Sequence, residues 1–224
     1  MHPQNSTSLY AALAAAAGFL IIALGLSTPA AAHEIRPAVV TVTFKDSGYE
    51  IALQANMEAV LAGVSPQHKD TDDSPNARRY NALRALPAAA LKQQIAAVAP
   101  RFIGALRVEF DGARVTPELR ALDVPPPGDL ALSRNTRVTL RGAIPPGAQT
   151  FRWAYPAEYG SNVLRLKKEG APEVVAVWLR DGAASEPFAI EGAVPAPSRA
   201  QVVWQYTVLG FTHILPYGLD HILF

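Results

Sequence analysis

From Val39 onward the chain alternates apolar and polar residues with a period of two, which restricts it to strands with one buried face. Val40, Val42 and Phe44 point one way, with Thr41 and Thr43 between them. Lys45 to Gly48 supplies turn residues, and Tyr49, Ile51 and Leu53 resume the alternation, which predicts a hairpin. Leu106, Val108 and Phe110 predict another strand, and the turn pair Asp111-Gly112 leads from it to Arg114 and Val115. Further strands are expected at Arg137 to Arg141, Phe151 to Tyr155, Val163 to Leu166 and Val174 to Leu179. Phe151, Trp153 and Tyr155 share a face and anchor the expected core.

Between the first hairpin and Leu106 the period changes. Asn76 to Leu86 and Ala88 to Val98 read as helices, the second with Leu91, Ile95 and Val98 at i, i+4 and i+7 and with Pro87 in its first turn. Proline-containing stretches at Pro125 to Gly128, Pro145 to Gly147 and Pro195 to Pro197 mark loops. The expected fold class is mainly β: a β-sandwich-like domain over residues 33–198 with a short helical insertion.

The two ends have a different character. Met1 to Leu9 is polar and Ala11 to Leu26 is a continuous apolar run, shorter than the ~20 residues of a bilayer span. Ala30 and Ala32 fit the small-x-small rule of a signal-peptidase site, so residues 1–32 read as a signal peptide cut before His33. The segment before the apolar run carries no Lys or Arg, which keeps an uncleaved N-terminal anchor as the alternative. At the other end, Gln201 to Leu215 is rich in apolar residues and includes Trp204 and Tyr206, ring types of membrane interfaces. Leu219 to Phe224 begins a further apolar run. Residues 199–224 therefore read as an interfacial helix and the start of a first membrane helix, with the chain cut off just inside it.

Composition closes several routes. There is no cysteine, so disulfides, Cys-ligated zinc and a thiol nucleophile are excluded. The formal net charge of +1 argues against a nucleic-acid partner, which would call for a basic stripe. Neither a Gly-x-Ser-x-Gly elbow nor a His-Glu-x-x-His motif is present, and no enzymatic activity is expected.

Chemistry must then come from His, Asp and Glu. His68 lies beside Asp70, Asp72 and Asp73, either a divalent-cation loop or a solvated acidic loop without the Gly and distal Glu of an EF-hand. His33, as a mature N-terminus, could chelate copper through its amino group and ring nitrogen, which would make the protein a periplasmic metal-binding or accessory module. At the C-terminal end, His213 is followed by six residues and then Asp220-His221, within apolar surroundings. Ionisable residues at membrane depth are costly and so are candidates for function. Pro216 and Gly218 would break a helix and let His213 approach Asp220 and His221, a ligand set suited to Ni²⁺ or Zn²⁺. The alternative is that Asp220 caps the coming helix.

The run from Gly210-Phe211-Thr212-His213-Ile214-Leu215 through Gly218-Leu219-Asp220-His221-Ile222-Leu223-Phe224 resembles the entry to the membrane region of the HupE/UreJ family. Ala32-His33-Glu34-Ile35-Arg36-Pro37 resembles the start of that family's longer branch, which carries a signal peptide and an extracytoplasmic domain. The resemblance implies a bacterial inner-membrane protein supplying or transporting a divalent metal, nickel above all. It implies metal ligation by His213, Asp220 and His221, with the lipid bilayer and the metal ion as partners. The histidine-to-Asp-His spacing is one residue longer here than in the permease branch, owing to Pro216-Tyr217.

Overall fold

The computed structural model describes residues 35–68, 70–130, 132–171 and 175–190. Of these, 38% lie in strands and 25% in helices, which bears out the mainly β expectation. The chain opens with the expected hairpin, β1 (Ala38–Lys45) and β2 (Gly48–Ala55), turning at Asp46 with a positive φ of 45°. Three helices follow: α1 (Met57–Ala62), α2 (Ala77–Arg84) and α3 (Ala88–Ala105), with a 3-10 turn at Thr71–Asp73 between the first two. Then come β3 (Arg107–Phe110), β4 (Ala113–Val115), β5 (Glu118–Asp123), β6 (Thr136–Ala143) and β7 (Thr150–Ala154). A second 3-10 turn, Ala157–Tyr159, leads to β8 (Asn162–Lys168), β9 (Val175–Leu179) and β10 (Phe188–Ala189).

Among the described residues the strands form two sheets, ordered β5-β6-β2-β1-β8-β9 and β10-β7-β3-β4. Pairing is antiparallel throughout except between β1 and β8, which run parallel with Val42 opposite Leu166. The period-two pattern does what it predicts: Val40, Val42, Ile51 and Leu53 are wholly buried on one side of the larger sheet. Rings from the two sheets meet on that side. Phe44 of β1 packs edge-on to Phe151 of β7 at 5.2 Å and stacks on Phe188 of β10 at 5.8 Å, and Tyr49 of β2 meets Phe110 of β3 at 5.2 Å. Trp153 is fully buried and donates its indole N–H to Asn162 Oδ1 at 3.1 Å. The Asp111-Gly112 turn takes positive φ at both residues, 49° and 80°, as a two-residue hairpin of its type requires.

The helical insertion departs from expectation in extent. Helix α3 continues past Val98 through Pro100, because Phe102 and Ile103 extend the apolar stripe of Leu91 and Ile95 onto the core. Helix α1 was not expected. Asn56 caps it by accepting from the Ala59 N–H at 3.0 Å, and Gly63 ends it in the left-handed region at φ 73°. Strand β5 was also unexpected. It is an edge strand with a bulge between Leu119 and Ala121, and Leu122 is its one buried residue.

A buried ion pair ties the insertion to the strands. Arg134, just before β6, donates from Nε to Glu58 Oε1 of α1 at 2.7 Å, with side chains 6% and 0% exposed. Its Nη1 reaches the carbonyls of Leu86 at 3.0 Å and Pro125 at 3.3 Å, and Nη2 reaches that of Leu83 at 3.2 Å. Leu83 and Leu86 lie at the C-terminal end of α2, where the helix dipole favours a cation.

Candidate functional site

The motif residues His213, Asp220 and His221, the N-terminal alternative His33 and the cleavage residues Ala30 and Ala32 all lie outside the described residues, as does the expected loop at Pro195 to Pro197. His68 and its acidic neighbours are described, apart from Lys69. There two of the carboxylates make local hydrogen bonds. Asp70 caps the 3-10 turn by accepting from the Asp72 N–H at 3.0 Å, and Asp72 accepts from Asn81 Nδ2 at 3.3 Å. Among the described residues no group of three or more His, Asp or Glu side chains gathers in a metal-ligating arrangement.

What the structure does assemble is a half-open groove of about 490 Å³ beside the insertion. Its construction follows from Gly63, whose positive φ turns the chain sharply out of α1 and lays Val64, Ser65 and Pro66 along one wall. Pro66 packs on Gly160, where an added Cβ would stand 3.2 Å from the proline ring. The opposite wall is α3, which contributes Val98, Arg101 and Phe102, and α2 adds Arg79. The 3-10 turn after β7 brings Glu158 and Tyr159 to the inner end. Phe102 and Tyr159 lie with ring centres 5.4 Å apart, and Tyr155 supports Tyr159 edge-on at 5.7 Å.

The electrostatics of the inner end are distinctive. Burial raises the Tyr159 hydroxyl pKa, the adjacent Glu158 carboxylate raises it further, and the Arg101 guanidinium opposes the rise. The Tyr155 hydroxyl is pushed up far more strongly, by burial first and by Tyr159 second. It has no hydrogen-bond partner among the described residues. The lining sets Arg79, Arg101 and Glu158 among Val60, Val64, Val98 and Phe102, so the groove offers both charge and apolar contact. Sequence reasoning missed this groove, because its residues come from four separated segments and none carries a motif.

No protein-family model matches the chain, and no curated protein matches it significantly. Among the described residues no helix is long and apolar enough to cross a membrane.

Proposed function

We propose that this chain is a HupE/UreJ-like protein of the bacterial inner membrane that transports or supplies a divalent metal, nickel foremost, without enzymatic activity. In this reading residues 33–198 form an extracytoplasmic β-sandwich-like domain behind a cleaved signal peptide. The ring contacts of Phe44 with Phe151 and of Tyr49 with Phe110 support two facing sheets. Residues 199–224 lead into the first membrane helix.

The observation that carries the proposal is the sequence from Gly210 to Phe224, where His213, Asp220 and His221 sit in an apolar stretch interrupted by Pro216 and Gly218. A continuous helix would set position 221 about 12 Å along the axis from 213, too far for a shared ion. A break between them is therefore needed, and Pro216 and Gly218 supply the residues that make one. Two imidazoles with a carboxylate suit a first-row divalent cation, and neutral imidazole is available near neutral pH on the extracytoplasmic side. The test is nickel accumulation by cells expressing the full-length protein. His213→Ala and His221→Ala should each abolish it while membrane insertion persists. Normal accumulation by both variants would remove the motif from the transport path.

A further inference from the structure

The groove beside the insertion holds charges of both signs that are not spent on one another. Arg79 on α2, Arg101 on α3 and Glu158 in the turn after β7 all line it. Among the described residues the ion pairs are Lys45 with Glu169, Arg107 with Glu109, Arg134 with Glu58 and Arg141 with Glu118, and none includes these three. Glu158 precedes Tyr159 and Arg101 precedes Phe102, and the rings of Tyr159 and Phe102 lie with centres 5.4 Å apart. A carboxylate and a guanidinium thus neighbour one pair of rings without closing on each other.

Apolar side chains stand among them. Val60, Val64, Val98 and Phe102 line the groove, and its volume of about 490 Å³ lies in the range of small-molecule sites, ~300–1,000 Å³. A second space of about 10 Å³, close to the size of one water, shares Val60, Val64, Glu158 and Tyr159 with the groove. The Tyr155 ring borders it, and the Tyr155 hydroxyl is a buried polar atom with no partner among the described residues.

These features discriminate among ligand classes. A simple aliphatic carboxylate would find Arg101 but also the repulsion of Glu158, and an aliphatic amine would meet the reverse. A molecule carrying both charges beside an apolar body satisfies each group. We propose that the groove binds a zwitterionic α-amino compound with an apolar side chain, a free amino acid or a dipeptide, its ammonium at Glu158, its carboxylate at Arg101 with Arg79 behind, and its side chain on Val98 and Phe102. The recognition chemistry is common to both sources. The inference does not depend on the C-terminal motif binding a metal.

Binding is measured by equilibrium dialysis on the full chain purified in detergent, with leucine and leucyl-leucine as probes, and with leucinamide and N-acetylleucine as analogues lacking one charge. Saturable binding of leucine assigns the site to free amino acids, and binding of leucyl-leucine alone assigns it to dipeptides. Each singly charged analogue should bind about 10-fold to 100-fold more weakly, the loss of one charge-assisted hydrogen bond. Arg101→Ala should weaken the preferred probe by a similar factor, and since Arg101 is exposed the melting temperature should not move. Glu158→Gln should erase the preference for leucine over N-acetylleucine. Failure of both probes to bind at millimolar concentration, or analogues that bind as tightly as the zwitterion, would overturn the inference.

Discussion

Replacing Arg134 with methionine should destabilise the β-rich fold by more than Glu58→Gln does. The guanidinium makes one charged hydrogen bond to Glu58 Oε1 at 2.7 Å and three to the carbonyls of Leu83, Leu86 and Pro125. Arg134→Met keeps the bulk but leaves a carboxylate that is 0% exposed without its cation, a change that costs about 3–5 kcal/mol. Glu58→Gln is milder, because the amide oxygen still accepts from Nε and the cation keeps its three carbonyls. The difference between a charged and a neutral hydrogen bond is lost, and the new amide NH2 takes the place of an Oε2 that is already buried without a partner, together about 1–2 kcal/mol. The two variants should therefore differ by roughly 1–4 kcal/mol. Urea unfolding followed by tryptophan fluorescence, to which the buried Trp153 contributes, reads this directly. At an m-value of ~2 kcal/mol per molar, Arg134→Met should lower the midpoint by about 2 M and Glu58→Gln by less than about 1 M. The double variant Glu58→Met/Arg134→Met should recover part of the loss, since no unpaired charge remains, yet stay below wild type because three carbonyls lack a donor. Equal losses for the two single variants, or a double variant no more stable than Arg134→Met, would refute the assignment of Arg134 as the counter-charge that holds the insertion.

Other outcomes follow from single sites. An added Cβ at Gly142 would stand 2.5–2.7 Å from the Tyr49 hydroxyl and ring. Because that ring is only 4% exposed, Gly142→Ala should cost about 1–3 kcal/mol in the same urea assay, and a variant as stable as wild type would contradict the packing. The Asp111 carboxyl is held below its ordinary value of 3.8, first by the Thr150 hydroxyl and then by the Gln149 and Thr150 N–H groups. A depressed folded value means that its contribution is present above pH 3.8 and is lost as pH falls through the folded value. Asp111→Asn, which still suits the turn before Gly112, should thus lower the thermal midpoint at neutral pH and converge with wild type in strong acid. A gap that is the same at both pH values would exclude the charge as its cause. Sequencing the N-terminus of mature protein from the envelope fraction should yield His33, and a chain starting at Met1 would remove the signal-peptide assignment.

The strands were legible wherever burial is one-sided. Val40, Val42, Ile51 and Leu53 alternate because one face is packed and the other is not, and the Asp111-Gly112 turn carries its own conformational requirement. β5 was not legible, since as an edge strand it buries Leu122 alone and leaves no alternation to detect. Helix α1 is too short for a periodic signal, although its Asn56 cap and Gly63 stop stand in the sequence. Pro100 hid the end of α3, because local propensity there is overridden by burial of Phe102 and Ile103. Glu58 and Arg134 are 76 residues apart, and the groove draws on four segments. Neither arrangement leaves a local pattern, because each exists only once the chain is folded.

Whether His213, Asp220 and His221 share one metal ion is read by X-ray absorption spectroscopy on full-length protein loaded with nickel in detergent. A shared site gives imidazole scattering from a nickel with nitrogen and oxygen neighbours, and His213→Ala and His221→Ala should each lose half that imidazole signal. An unchanged spectrum in both variants would contradict it.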